Sequence, residues 1–277
     1  MSDKLCLAGV IGDPVAHSKS PALHGHWIAR YGINGYYIPM TVGHEALPRV
    51  LKTLPEMGFR GVNITIPHKE LALSLADTVT DRAALIGAAN TLTFTATGTV
   101  QADNTDGYGF IENVRHSIPD LALDVAPSLV LGAGGASRAV ISALLGQGAP
   151  KVYVANRTRA RADVLRDHFG ARVESLDWTR IPDSLANVAM VVNTTSLGMD
   201  GRTALNVDLT RLKSDTIVAD LVYTPLRTEF LEAAAARGCR TVDGLGMLLH
   251  QAVPGFERWF GKTPEVDDAL RRAVLGA

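Results

Sequence analysis

Residues 128 to 140 read SLVLGAGGASRAV, and this stretch decides the fold of the second half of the chain. An apolar run predicts a buried strand, the glycines after it predict a tight turn, and the following residues predict a helix. Such a turn brings backbone N–H groups against a pyrophosphate at the helix N-terminus. In the fingerprint of this turn, a serine stands at the third small position, which is usually glycine. The predicted dinucleotide-binding turn consists of Gly132, Gly134, Gly135, Ala136 and Ser137.

Further strand-like runs follow this turn and alternate with helical stretches. They lie at residues 151 to 155, 188 to 193 and 216 to 220. This alternation is typical of a doubly wound parallel sheet that binds a nucleotide. We therefore expect a Rossmann-type domain over residues 104 to 239.

The end of the next strand predicts which dinucleotide is preferred. An NAD site usually has an acidic residue there, but residues 154 to 162 read VANRTRARA, and the first carboxylate is Asp163. The planar guanidinium of Arg157 matches a 2′-phosphate, and Thr158 adds a hydroxyl donor, so NADP is favoured over NAD. Arg159 is interpreted as part of the solvated helix face. The same argument applies more weakly to Arg161, and the family resemblance described below also includes Asn156 in an NADP-selective loop with Arg157, Thr158 and Arg161.

The first hundred residues predict a second α/β unit. Strand-like runs at residues 4 to 11, 36 to 42 and 61 to 66 alternate with helical stretches, which favours a mainly parallel sheet covered by helices. Residues 90 to 95 and 99 to 102 predict an additional hairpin. The last predicted helices, at residues 245 to 260 and 264 to 275, follow the second sheet and could return to the first domain.

Composition excludes several classes of function. The chain has 277 residues, 47% of them hydrophobic, and a formal charge of −1, so nothing indicates binding to nucleic acid or to an anionic membrane. Cys6 and Cys239 are the only cysteines and form no CxxC pattern, which predicts neither disulfide nor zinc site and favours a reducing cytoplasm. The apolar run from residue 5 to 11 is interpreted as a buried strand rather than a signal peptide, and no run reaches transmembrane length.

Residues 62 to 70, VNITIPHKE, combine a strand pattern with polar side chains. Alternation places Val62, Ile64 and Ile66 on one face of the strand and Asn63 with Thr65 on the other. A lysine, Lys69, follows shortly after the strand. Alone, such a lysine is more typically a solvated charge. Ser18 and Ser20, Asn90 and Asp106 would each, alone, be interpreted as capping or edge residues.

Taken together and in order, these motifs resemble the shikimate dehydrogenase family over nearly the whole chain. The motifs are SKSP, NITIPHK, GAANTL, NTDGYGF, GAGGASRA, NRT, NTTSLGM and GLGMLLHQA. The resemblance implies a substrate domain at residues 1 to 103 and 240 to 277, an NADP domain between them, and a cleft where they meet.

It also implies a role for each matching residue. Ser18 and Ser20 match residues that hold the substrate carboxylate, and Tyr223 matches a tyrosine near it. Lys69 and Asp106 match the catalytic lysine and the aspartate beside it. The residues matching those at the ring hydroxyls are Asn63, Thr65, Asn90, Asp106 and Gln251.

The implied reaction is reversible hydride transfer that converts 3-dehydroshikimate to shikimate, a step in aromatic amino acid biosynthesis. Lys69 would protonate the developing alkoxide, and Asp106 would orient Lys69 and the hydroxyl. His17 and His68 are rival acid–base groups. No metal is expected, and the chain is expected to be a monomer or homodimer. The alternatives are a quinate or broad-specificity quinate/shikimate dehydrogenase, a related aminoshikimate enzyme, and a catalytically silent sensor of dinucleotide or shikimate.

Overall fold

A computed structural model describes residues 5 to 276, which divide into two compact units. The first unit contains the described residues up to Thr105 together with those from Leu249 onward, and the second runs from Asp106 to Leu248. The sequence predicts divisions after residues 103 and 239, so the second division lies further along the chain than expected. Which unit binds which ligand stays a prediction.

The helices and strands alternate along most of the chain. The strands are β1 (Cys6–Gly12), β2 (Gly35–Thr41), β3 (Phe59–Ile64), β4 (Thr78–Val79), β5 (Thr91–Phe94), β6 (Val100–Asp103), β7 (Ser128–Leu131), β8 (Val152–Ala155), β9 (Val173–Leu176), β10 (Met190–Asn193), β11 (Ile217–Asp220) and β12 (Arg240–Val242). The helices are α1 (Ser20–Arg30), α2 (Leu47–Thr53), α3 (Lys69–Ser74), α4 (Asp81–Ile86), α5 (Asp106–Ser117), α6 (Gly135–Gly146), α7 (Arg159–Phe169), α8 (Ile181–Ser184), α9 (Glu229–Ala236), α10 (Leu245–Phe260) and α11 (Asp268–Leu275).

The sheet of the first unit has the strand order β2-β1-β3-β5-β6-β4. Strand β1 runs parallel to both β2 and β3, while β5 is antiparallel to β3 and to β6. The predicted parallel start and the predicted hairpin are therefore confirmed. Because β5 is antiparallel, its first residue Thr91 lies beside Asn63 near the end of β3, and Thr91 also pairs with Asp103 at the end of β6. These strand ends form one edge of the sheet, called here the polar edge.

The first unit packs apolar side chains on both faces of its sheet. Val62 and Ile64 lie in one cluster with Leu47 and Leu51 of α2. Aromatic rings of α1 and α10 cover the other face, where the indole N–H of Trp259 donates to the carbonyl of Leu92 over 3.1 Å. This close approach requires a glycine below the indole, because a Cβ on Gly61 would lie 2.0 Å from Trp259 Nε1.

Two predicted boundaries in the first unit are wrong. Strand β3 ends at Ile64, and Ile66 is 68% exposed, so Ile66 does not share the buried face of Val62 and Ile64. The chain leaves the sheet in a turn in which the N–H of His68 donates to the carbonyl of Thr65, and Pro67 has no N–H to continue a ladder. The last helix begins at Asp268 rather than at residue 264, since the side chain of Asp267 caps it by accepting from the N–H of Leu270.

The sheet of the second unit has the order β12-β11-β10-β7-β8-β9, and all neighbouring strands are parallel. This is the doubly wound Rossmann order, so the predicted fold class is confirmed. Val130 of β7 packs into one apolar cluster, and its neighbours Leu129 and Leu131 pack into another on the opposite face. The sequence did not predict β9 or β12. Within residues 5 to 276, no helix is long and apolar enough to cross a membrane.

Candidate active site

The glycine turn of the second unit follows β7 and begins with a strained backbone position. Gly132 has φ of +112°, and a Cβ there would lie 2.7 Å from the hydroxyl oxygen of Thr194, which follows β10. Only glycine combines this φ with such a close approach. The turn therefore lies where the strand order reverses between β7 and β10, the position at which doubly wound sheets bind their ligands.

The next two glycines leave their backbone accessible. Gly134 and Gly135 are exposed, and a Cβ on either would meet nothing within 4 Å. Helix α6 begins at Gly135 with no side chain capping its first N–H groups, so these donors suit an anion. Ser137 is buried, and its hydroxyl donates to the carbonyl of Gly134 over 2.6 Å, which holds the turn. This open cradle fits the pyrophosphate of a dinucleotide.

The loop after β8 carries exposed arginines. The side-chain amide of Asn156 donates to the carbonyl of Thr158 over 2.8 Å, which folds the loop back on itself. Arg159 forms ion pairs with Asp163 and Asp177. Across residues 5 to 276, by contrast, neither Arg157 nor Arg161 forms an ion pair, and both side chains are exposed. Two guanidinium groups without a carboxylate fit a phosphate better than a ribose hydroxyl.

A buried polar pair stabilises the loops that follow β10 and β11. The amide of Asn193 donates to the carboxylate of Asp220 over 2.9 Å, and Asp220 also accepts from the hydroxyl of Thr228 over 2.7 Å. Burial raises the pKa of Asp220 despite these bonds. The loop after Asp220 contains Tyr223, which is half-buried, and burial raises the pKa of its phenol.

In the first unit, the serine loop lies between β1 and α1. Ser20 is the first residue of α1 and is 8% exposed, whereas Ser18 is more accessible. The hydroxyl oxygen of Ser18 accepts from the backbone N–H of Ser20 over 3.2 Å. Both serines therefore lie at the N-terminus of a helix, which is a favourable place for a carboxylate, and the side chain of Ser20 also hydrogen-bonds to Tyr37.

Asn63 is buried at the end of β3 and is already fully engaged as a donor. Its amide nitrogen donates to the carbonyl of Asn90 over 3.1 Å and to the hydroxyl of Thr91 over 3.2 Å. Its oxygen accepts from the hydroxyl of Tyr37 over 2.7 Å. Because an amide has only two N–H groups, Asn63 has no further N–H to donate, and its contact with the substrate stays a prediction.

Lys69 is the first residue of α3 and is partly buried. Its backbone carbonyl accepts from the N–H of Ala89 over 2.9 Å, which holds the start of α3 beside the residue that precedes Asn90. Of the rival histidines, His68 is fully buried with its Nε2 2.6 Å from the carbonyl of Val42, whereas His17 is exposed. The ring of His68 is therefore held against the backbone of its own unit.

Asn90 links the end of the sheet to α10. Its amide nitrogen donates to the side-chain oxygen of Gln251 over 3.2 Å. Its oxygen accepts from the backbone N–H of Thr105 over 2.8 Å and from the hydroxyl of Thr91 over 2.9 Å. A backbone N–H can only donate, so this bond fixes which end of the amide faces α10.

The structure groups the predicted residues by unit. In the first unit, it brings Asn63, Asn90 and Gln251 into one hydrogen-bonded network at the polar edge. The other predicted residues of this unit lie in the segments that follow β1 and β3, up to the first residues of α1 and α3, and are Ser18, Ser20, Thr65 and Lys69. Asp106 begins α5 in the second unit, directly after Thr105, and Tyr223 also belongs to that unit. The pairing of Lys69 with Asp106 stays a prediction.

Sequence reasoning missed several residues of the polar edge. Tyr37, Thr91 and Thr105 all bond to predicted site residues, and Asp103 lies buried at the end of β6. The signal for Thr91 and Thr105 was available, because both lie inside the motifs GAANTL and NTDGYGF. Tyr37 had no such signal, since an aromatic residue in a strand is ordinary core.

The doubly wound sheet and its open glycine turn define a dinucleotide-binding protein of the Rossmann type. Three family models match the chain: the shikimate dehydrogenase substrate binding domain at residues 10–92, shikimate / quinate 5-dehydrogenase at residues 114–205, and the shikimate 5'-dehydrogenase C-terminal domain at residues 244–275. The chain belongs to the shikimate dehydrogenase family.

Individual relatives agree with this assignment. The chain is 63% identical over 273 residues to the shikimate dehydrogenase (NADP(+)) of Jannaschia sp. (strain CCS1), covering 99% of this chain and 98% of that protein. Shikimate 5-dehydrogenase from Thermus thermophilus, solved with NADP(H) and shikimate, is 38% identical with a TM-score of 0.86, covering 97% and 99% of the two chains. Quinate dehydrogenase from Corynebacterium glutamicum, solved with NAD, is 34% identical with a TM-score of 0.90, covering 99% and 100%.

Proposed function

We propose that this chain catalyses the reversible NADP-dependent reduction of 3-dehydroshikimate to shikimate. The observation that carries the proposal is the 63% identity, over 99% of this chain, to a relative named shikimate dehydrogenase (NADP(+)). In this proposal the first unit binds the substrate and the second unit binds NADP.

The second unit supports the choice of cofactor. Bound NADP supplies the hydride that is exchanged with the substrate carbon. The open backbone at Gly134 and Gly135 would hold the pyrophosphate, and Arg157 with Arg161 would hold the 2′-phosphate. Arg159 is already paired with two carboxylates, so it contributes less.

The polar edge of the first unit supports a polyol acid as substrate. Ser18 and Ser20 would bind the carboxylate from the N-terminus of α1, with Tyr223 near it. Thr65, Asn90 and Gln251 would bind ring hydroxyls, while Asn63 would orient Asn90 from behind because both of its N–H groups donate within the unit.

Lys69 is proposed to hold the proton that is exchanged with the substrate oxygen. When the ketone is reduced, negative charge develops on this oxygen, and a charged ammonium both stabilises it and donates the proton. Asp106 would orient the ammonium and the hydroxyl. In the direction of oxidation, Lys69 must accept the proton from the hydroxyl, so the same residue acts as general base.

The second candidate is quinate oxidation with NAD, and the 34% identity to quinate dehydrogenase from Corynebacterium glutamicum favours it. Quinate differs from shikimate by a hydroxyl on a saturated carbon, so a few contacts decide between them. The exposed arginines after β8 argue against NAD, because the usual carboxylate for its ribose hydroxyl does not occur until Asp163.

The experiment is a spectrophotometric assay of the purified chain at the absorbance band of the reduced nicotinamide. Shikimate and quinate are each combined with NADP and with NAD, and kcat/KM is measured for the four pairs. We expect the largest value for shikimate with NADP. Activity only with quinate and NAD would contradict both the substrate and the cofactor, and no activity with any pair would favour the sensor.

We also propose a cellular location and an oligomeric state for this enzyme. We expect a cytoplasmic protein, because neither Cys6 nor Cys239 forms a disulfide within the described residues. We also expect a monomer or a homodimer. Light scattering coupled to size-exclusion chromatography measures the mass directly. A larger assembly would contradict this part of the proposal.

A further inference from the structure

Asp103 is a buried carboxylate that no step of the proposed reaction uses. Its side chain has 0% exposure at the end of β6. It accepts from the hydroxyl of Thr80 over 2.8 Å and from the backbone N–H of Asn104 over 2.7 Å. Two guanidinium groups complete its shell: Arg82 binds both carboxylate oxygens, and Arg258 lies 2.6 Å from one of them.

The charge on Asp103 is stabilised by these neighbours. Burial raises the pKa of this carboxyl, but the hydrogen bonds from Arg82 and Arg258 outweigh burial and hold the pKa well below its usual range. The carboxylate is therefore ionised at every pH at which the enzyme would work. A buried carboxylate that loses one of its partners costs free energy of folding, because its charge is then left unpaired. The ion pairs and hydrogen bonds of Asp103 therefore hold the residues around it in fixed positions.

The cluster joins elements that carry the proposed substrate residues. The backbone carbonyl of Asp103 accepts from the N–H of Asn90 over 3.0 Å, and its carboxylate holds Asn104 at the start of the segment that leads to Asp106. Arg258 belongs to α10, seven residues after Gln251, so both side chains lie on the same face of the helix two turns apart. Asn90 in turn donates to Gln251.

We propose that Asp103 and Arg258 are positioning residues that fix α10 along the sheet so that Gln251 meets Asn90 at the substrate. Arg82 has a different role, because it attaches α4 to the same carboxylate. The inference rests on the proposed function, since it concerns how that substrate site is held. It predicts that removing the ion pair between Arg258 and Asp103 weakens substrate binding. Removing other ion pairs of the same unit should lower only the stability of the fold.

The test compares Arg258→Met with Arg30→Met in the full chain. Arg30 is the control because its side chain is also 32% exposed and also carries an ion pair within the first unit, from α1 to Glu265 and Asp267, which precede α11. We expect Arg258→Met to raise KM for shikimate about tenfold while KM for NADP changes less than about twofold. Arg30→Met should leave both values within about twofold.

A double-mutant cycle tests whether Arg258 acts through Gln251. In a Gln251→Ala background, Arg258→Met should raise KM for shikimate much less than tenfold, because the side chain it positions is gone. An equal increase in both backgrounds would overturn the inference. If Arg258→Met does not fold, Arg258→Gln, which keeps an N–H donor, takes its place with an expected increase of about threefold.

The outcomes separate this inference from the proposed function. A wild-type chain that does not turn over shikimate contradicts the proposed function and, with it, the substrate site. A wild-type chain that is active, together with Arg258→Met kinetics equal to those of Arg30→Met, overturns only the positioning role. Loss of thermal stability without a change in KM for shikimate would count as the same negative result.

Discussion

At the polar edge of the first unit, buried side chains such as Asn90 and Gln251 hydrogen-bond to one another. In the second unit, by contrast, the glycine turn and the loop after β8 present exposed backbone and guanidinium groups. The first arrangement holds groups in fixed directions, as recognition of several hydroxyls requires. The second offers charge and open space, as recognition of phosphates requires. A substitution at the polar edge should therefore disturb how the substrate hydroxyls are positioned. A substitution in the glycine turn or in the loop after β8 should lower the affinity for the cofactor phosphates.

The largest effect is expected in the first unit, from Lys69→Ala. If Lys69 holds the transferred proton, kcat should fall by roughly 10² to 10⁴ with a smaller change in KM, as for a group that acts mainly in the transition state. Steady-state kinetics in both directions measures this, with Lys52→Ala on the exposed face of α2 as control. Turnover close to wild type would leave Lys69 as a positioning residue.

The second effect concerns the glycine turn, through Gly134→Val. The backbone at this position is extended and open, so valine should fold normally but occupy the space proposed for the pyrophosphate. Loss of two charged hydrogen bonds would raise KM for NADP by about a hundredfold. Gly43→Val, at another extended and open position, is the control. Unchanged KM for NADP would place the cofactor elsewhere.

A smaller effect should distinguish the arginines after β8. Arg157→Gln removes an exposed guanidinium that has no carboxylate partner, so KM for NADP should rise about tenfold while KM for NAD stays nearly unchanged. Arg159→Gln is the matched control, since Arg159 is paired with Asp163 and Asp177. Equal effects of both variants would mean that only the summed positive charge matters.

The smallest effect concerns stability rather than rate. Burial lowers the pKa of His24 to about 3, and the centroid of this ring lies 4.0 Å from the centroid of the stacked Tyr37 ring. Unfolding exposes a histidine of pKa about 6.5, so the unfolded chain binds more protons as the pH falls below that value. Stability contributed by the neutral ring is therefore present above pH 6.5 and is lost toward pH 3.

The variant His24→Phe should flatten this dependence. In the wild type, His24 contributes up to about 1.4 kcal/mol per pH unit to the loss of unfolding free energy between these pKa values. Urea unfolding at several pH values between about 4 and 6.5 measures the slope, with His44→Phe at an exposed position as control. A slope that stays the same in His24→Phe would mean that other groups cause the acid sensitivity.

The sequence predicted the fold well where strong local signals exist. The run SLVLGAGGASRAV specified strand, turn and helix, and helix α10 has the predicted bounds because its apolar residues keep a helical period. The end of β3 was harder to predict. Ile66 continues the apolar alternation of Val62 and Ile64, yet it is exposed because the backbone turns before it. Alternation alone does not report where a chain leaves its sheet.

The candidate site could be predicted only where its residues lie in recognisable motifs. Asn90 and Gln251 were singled out, and the structure joins them by a hydrogen bond across 161 residues of sequence. The partner of Asp103 on α10 could not be foreseen, because an arginine near the end of an amphipathic helix is usually solvated. Long-range ion pairs of this kind depend on tertiary packing, which a local pattern does not encode.

The most direct test of the proposed reduction of 3-dehydroshikimate follows the transferred hydride. The chain is incubated with 3-dehydroshikimate and NADPH that carries deuterium at the transferable position of C4, and the product is examined by mass spectrometry. If the hydride comes from the cofactor, the shikimate that forms contains one deuterium. Shikimate that forms without deuterium, or no shikimate at all while the chain is folded, would contradict it.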